Sequence, residues 1–195
     1  MRFNHFLFTL LILCFLASCT KTNKKPEVDF KQILLESTIS IDSAIGEKLI
    51  FGDFLGHGKQ IGAWSQVVEK GIPDSVSNIL RINFMSGKIL PLELTSDQQD
   101  ILMINEGDLD GDWGDELSVY TYPNHGCTNT MTTYSLKNGV WHMILSPLLV
   151  PSFCETISHE ALQNRIFIEQ NNVYRMEVDL NSEDMRLVKV RAEIL

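Results

Sequence analysis

The chain has 195 residues, with 25 acidic against 16 basic side chains, a formal net charge of −9 and a sequence pI near 5.0. That balance argues against nucleic acid as a partner, because phosphate binding draws on clustered Lys and Arg. The length suffices for one sizeable core or two small ones.

At the N-terminus, Arg2 precedes an apolar run from Phe6 to Leu16 and then Leu16-Ala17-Ser18-Cys19. A basic start, an apolar stretch of about 7–15 residues and small residues before a cut site describe a secretory signal. The run is shorter than the roughly 20 residues a spanning helix needs. A cysteine directly after Leu-Ala-Ser resembles the lipobox of bacterial lipoproteins. The resemblance implies removal of residues 1–18 and lipidation of Cys19. The chain would then be anchored to a membrane of the bacterial cell envelope, the outer one in a Gram-negative source. Lipobox cysteines carry more than one acyl chain, and two or more anchor stably where one binds marginally. Residues 19–30 are polar, include Pro26 and read as a tether.

Beyond the tether, residues 31–195 read as one β domain. A short helix is expected at 31–40, followed by short apolar stretches divided by turn residues. Strands are expected at 47–52, 61–69, 78–85, 88–94, 100–106, 116–122, 130–137, 140–146, 164–170, 173–180 and 185–194. Asn138-Gly139 is a strong two-residue hairpin signal, and Ser86-Gly87 and Asn171-Asn172 are weaker ones. The fold class is therefore mainly β: antiparallel meander units resembling propeller blades, arranged as a partial propeller or a sandwich. The units are 47–94, 100–146 and a degenerate third at 157–194.

Residues 107–116 read Gly-Asp-Leu-Asp-Gly-Asp-Trp-Gly-Asp-Glu. The carboxylates of Asp108, Asp110, Asp112, Asp115 and Glu116 repel one another unless they are solvated or neutralised by a cation. Alternating carboxylates spaced by glycine suit Ca²⁺, which takes six to eight oxygen ligands. Residues 51–61 echo the loop 55 positions earlier, each copy following one apolar strand and preceding another. Together these residues resemble the FG-GAP and VCBS repeats of extracellular β-propellers, where a strand leads into Asp-x-Asp-Gly-Asp-Gly-x-x-Asp and the loop binds Ca²⁺. The resemblance makes Asp108, Asp110 and Asp112 ligands, with Gly114 offering its carbonyl and Glu116 closing the shell. Trp113 stands where the family has glycine, and a left-handed turn there is costly for a bulky side chain. In the earlier copy Leu55 and His57 replace acidic positions, so that loop is expected to be metal-free.

Two of the four cysteines fall in the signal and the lipobox, leaving Cys127 and Cys154. In an oxidising envelope such a pair forms a disulfide; two buried thiols, or one reactive thiol served by His125, are the alternatives. The expected bridge would clamp the linker to the third unit onto a loop within the second and hold those two units at a fixed angle. Tyr120, Tyr122 and His125, near the acidic loop, are candidates for a ligand platform, against the plainer reading that the strand aromatics pack in the sheet. The histidines show no zinc spacing, and no nucleophile elbow, phosphate loop or dinucleotide fingerprint is present. The expected function is a non-catalytic binding or scaffold lipoprotein stabilised by Ca²⁺, with a protein or glycan partner. The alternative is an envelope hydrolase acting on polysaccharide or peptidoglycan through paired carboxylates.

Overall fold

The structure is a computed structural model that describes residues 49–152 and 154–195. Cys19, the tether and the expected helix at 31–40 lie outside the described residues. Among the described residues, no helix is long and apolar enough to cross a membrane.

Among the described residues, three antiparallel sheets account for the architecture. The first is a four-stranded meander of β1 (Leu49–Gly52), β2 (Ile61–Glu69), β3 (Asn78–Phe84) and β4 (Leu92–Ser96). The second runs β5 (Ile101–Gly107), β6 (Glu116–Thr121), β7 (Thr128–Lys137) and β8 (Val140–Met143), with β9 (Leu148–Pro151) also paired to β7. The third is β10 (Ile166–Glu169), β11 (Asn172–Val178) and β12 (Leu187–Arg191). The fold is mainly β, as expected; β4 runs to Ser96 and the second sheet takes in β9 at Leu148–Pro151, beyond the 94 and 146 read from turn and strand patterning.

The second sheet is the middle layer, and period-two alternation explains why. Ile101, Met103, Leu117 and Val119 point into a core shared with Phe54, Ala63, Leu80 and Ile82 of the first sheet and its loop. Ile104, Tyr120, Met131 and Val150 point the other way, into a core shared with Leu162, Ile166 and Val173. Residues 116–120 are consequently buried without a break, as expected of a strand covered on both faces.

Asn138 and Gly139 both adopt positive φ, at 54° and 79°, and join Lys137 to Val140 as a tight hairpin. The third unit departs by one residue from expectation. Its turn is Gln170-Asn171, both at positive φ, and Asn172 already pairs with Glu169. Strand β9 and the helix α1 (His159–Gln163) were not anticipated. Pro147 and Pro151 disguise β9, but proline is tolerated at the margin of a strand that pairs on one side. The start of α1 is fixed by Ser158, whose hydroxyl accepts the Ala161 N–H at 3.1 Å, an N-cap.

Cys127 and Cys154 lie at disulfide distance, with Cα atoms 4.7 Å apart, inside the range a bridge requires. Their place differs from the expected clamp between units. Thr128 pairs with Pro151, and the Ser152 N–H donates to the Cys127 carbonyl at 2.7 Å. The pair therefore closes the end of the β7–β9 ladder inside the second sheet. Native protein is expected to show neither of these thiols to Ellman's reagent. Replacing both cysteines with serine should lower the urea unfolding free energy by about 3 kcal/mol.

Candidate metal centre

The loop between β5 and β6 is built around one residue, Asp108. Its Oδ1 accepts the Gly111 N–H at 2.7 Å and its Oδ2 accepts the Trp113 N–H at 3.1 Å. Asp110 Oδ1 accepts from Asp112 N–H and Asp112 Oδ1 from Gly114 N–H, at 3.2 and 2.9 Å. Each carboxylate thus folds the chain back towards itself, the local bonding for which Asp is favoured in turns. Leu109 is buried in the core beneath and pins the loop to the sheet.

The first loop repeats this plan. Asp53 accepts the N–H groups of His57 and Gly58 at 3.0 and 2.6 Å, and Phe54 is the buried anchor. Gly56 and Gly58 have φ of 66° and 74°, and their counterparts Gly111 and Trp113 have 83° and 79°. Trp113 therefore occupies a left-handed position that its earlier counterpart fills with glycine, and it is 80% exposed. The two loops also clasp each other. Asp115 Oδ2 accepts the Asp53 N–H at 2.7 Å and an Asn105 side-chain N–H at 2.9 Å, and the Asp53 carbonyl accepts the Asp115 N–H at 3.1 Å.

Oxygens of Asp108, Asp110 and Glu116 lie within 4.8 Å of one another, a group that could hold a metal ion. Asp112 is outside this group, its Oδ1 engaged with Gly114. Glu116 is 0% exposed; its Oε2 accepts the Leu109 N–H, while Oε1 has no hydrogen-bond partner. Asp110 is nearly as enclosed, its side chain 4% exposed and its Oδ2 held 2.9 Å from Lys137 Nζ. On the same face of the middle sheet lie buried Ser118, Thr133 and Ser135, with the Ser118 and Thr133 hydroxyls bonded at 2.8 Å. Register shifts between Asn105 and Gly107 opposite Glu116, and this bulge carries a second acid, half-buried Glu106, whose two carboxyl oxygens are out of solvent with no hydrogen-bond partner.

Burial pushes the Glu116 carboxyl up to about 8; the charges of Asp110 and Asp112 add to the shift, while the Leu109 amide and the nearby Ser135 hydroxyl oppose it. Glu106 is likewise pushed up to about 8, by burial first and by the charge of Glu116, with the Ser118 hydroxyl acting against. Desolvation disfavours the ionised form of a carboxyl, which is the common cause.

The proposed aromatic platform does not form as expected. Tyr120 is 1% exposed and belongs to the core between the second and third sheets, with Tyr122 edge-on against it at 5.1 Å. The strand alternation that buries Met131 and Val150 buries Tyr120 with them. His125 is exposed and pairs with Asp74 at 3.0 Å. It borders a polar hollow of about 370 Å³ lined also by Ser77, Asp97 and Asn124. There Asp97 accepts from the Ser77 hydroxyl and the Asn124 N–H. Neither Lys137 nor Glu106 was singled out from sequence. Lys137 ends a strand far along the chain from the loop, and Glu106 reads as the polar end of an apolar strand.

Two measurements follow from this geometry. In chelator-treated protein, Glu106 and Glu116 ionise near 4.5 when unfolded and near 8 when folded. The native state then holds more protons in that interval, so stability falls as pH rises through it. Denaturation midpoints should decline from about pH 5 to about pH 8, and Glu106→Gln should flatten the decline. Separately, Trp113→Gly should raise stability by about 1 kcal/mol in urea titrations, because glycine removes the left-handed penalty and little apolar burial is lost.

No family model matches the chain, and no curated protein or solved structure matches it.

Proposed function

We propose that the protein is a non-catalytic binding or scaffold lipoprotein of the bacterial envelope, anchored through Cys19 and stabilised by Ca²⁺ at Asp108, Asp110 and Glu116. One observation carries the metal reading: Glu116 is buried at the acidic loop with Oε1 unpartnered. A buried acceptor without a donor is costly, and a cation drawing on Asp108 and Asp110 offsets that cost. The donor set is all oxygen, which selects hard ions such as Ca²⁺ over thiophilic or imidazole-seeking metals. Asp112 and the Gly114 carbonyl are the further ligands that the resemblance to FG-GAP and VCBS loops implies. Bound there, the ion would supply charge neutralisation rather than chemistry. It would hold the loop that clasps the first sheet to the second.

The anchor rests on Leu16-Ala17-Ser18-Cys19. The blade-like succession of three meander sheets and the doubled loop support a relationship to propeller repeats. The alternative, an envelope hydrolase, draws on the hollow where Asp74 and Asp97 occur. Both acids there are already engaged, Asp74 by His125 and Asp97 by Ser77 and Asn124, which favours the binding role. Partner and ligand would be a protein or glycan of the envelope.

Scanning calorimetry of the wild type should show a melting temperature that climbs with Ca²⁺ concentration, since a ligand confined to the native state stabilises it by mass action. Asp110→Asn and Glu116→Gln should lose that response. A wild type indifferent to Ca²⁺ would defeat the metal reading. Metabolic labelling with a fatty-acid analogue should mark the wild type and fail on Cys19→Ala.

A further inference from the structure

We propose that Lys137 is a built-in competitor for the metal: its ammonium neutralises Asp110 in the metal-free protein, and a divalent cation takes the site by displacing it. The inference rests on the metal reading above and adds the means by which the site is tuned.

The backbone of Lys137 is fixed by the sheet. The residue is the last of β7, it pairs with Val140, and the Asn138-Gly139 turn behind it is tight. Alternation along β7 sets it on the face of Thr133 and Ser135, the face that carries Glu116 on β6. From there its Nζ reaches Asp110 Oδ2 at 2.9 Å.

One ammonium does not satisfy the whole cluster. With Lys137 in place, neither Asp110 Oδ2 nor Glu116 Oε1 has a hydrogen-bond partner, so the lysine supplies Asp110 with opposite charge and leaves both buried acceptors unmet. A divalent ion that draws on Asp108, Asp110 and Glu116 meets the ammonium already placed against the Asp110 carboxylate. Two cations cannot share Asp110 without strong repulsion in a site this enclosed. The exchange replaces one positive charge by two. Its cost lowers the affinity for the divalent ion and gives the fold a partly neutralised loop when calcium is scarce.

The test titrates Ca²⁺ into the full-length lipidated protein in detergent by isothermal calorimetry. Lys137→Met keeps most of the aliphatic stem and removes the charge, and should tighten Ca²⁺ binding about tenfold. It should also melt lower than wild type in chelator and gain more from saturating Ca²⁺. Lys137→Arg keeps the charge and should bind near the wild-type affinity. A Lys137→Met variant that binds Ca²⁺ no more tightly than wild type would overturn the competition. Should that variant not fold, the wild type alone decides. Amine-reactive labelling read by mass spectrometry must accelerate at Lys137 when Ca²⁺ is added, with the other lysines unchanged, and an unchanged rate rejects displacement. Wild type and Lys137→Met both failing to bind Ca²⁺ would refute the calcium site itself, whereas equal binding by the two would refute the lysine alone.

Discussion

Like-charge repulsion in residues 108–116 is the constraint around which the middle of the molecule is organised. Five carboxylates occupy nine positions, and each is met by a backbone N–H. Asp108 takes Gly111 and Trp113, Asp110 takes Asp112, Asp112 takes Gly114, Asp115 takes Asp53, and Glu116 takes Leu109. Aligned amide dipoles supply partial positive charge without a counter-ion. They also oblige the chain to turn tightly enough to bring the donors round, which is where the positive φ values at Gly111 and Trp113 originate. Because one of those donors belongs to the first loop, solving the repulsion also joins the first two sheets.

Most strands were legible because alternation and turn chemistry are local. The Asn-Gly hairpin, the doubled loop and the division into three meanders each depend on residues adjacent in the chain. What escaped depends on residues far apart. The face carrying Glu116, Ser118, Thr133 and Ser135 alternates with apolar residues as a solvent-facing set would, yet all four are buried. Burial of that face follows from the middle position of the second sheet, which no single strand encodes. Tyr120 went the same way: its aromatic character was visible, but the layer that covers it was not. The Lys137–Asp110 pair and the clasp through Asp115 are likewise tertiary.

Long β7 illustrates how one element can serve two ends of a sheet. Its later residues pair with β8 and its earlier ones with β9, while its other edge is taken by β6. β6 covers Thr130–Tyr134 on one edge, and β8 and β9 cover Tyr134–Lys137 and Thr128–Met131 on the other, which shortens any open ladder the strand could offer another chain. The cysteine pair sits just beyond the β9 end and the Lys137 ion pair at the β8 end. The two ends of one strand thus bear a redox-sensitive closure and an electrostatic one.

The paired loops separate shape from charge. In the first loop the left-handed positions are glycines and the opening Asp still gathers the amides, although Leu55 and His57 offer no carboxylate. In the second, the same path is kept with Trp113 forced into a conformation glycine would adopt freely. A loop whose path is fixed by two dihedral angles, one anchoring carboxylate and one buried side chain can change its remaining residues without changing form. On such a scaffold a substitution acts on side-chain chemistry alone, and the geometry of the pair is preserved while the charge each loop presents is free to change.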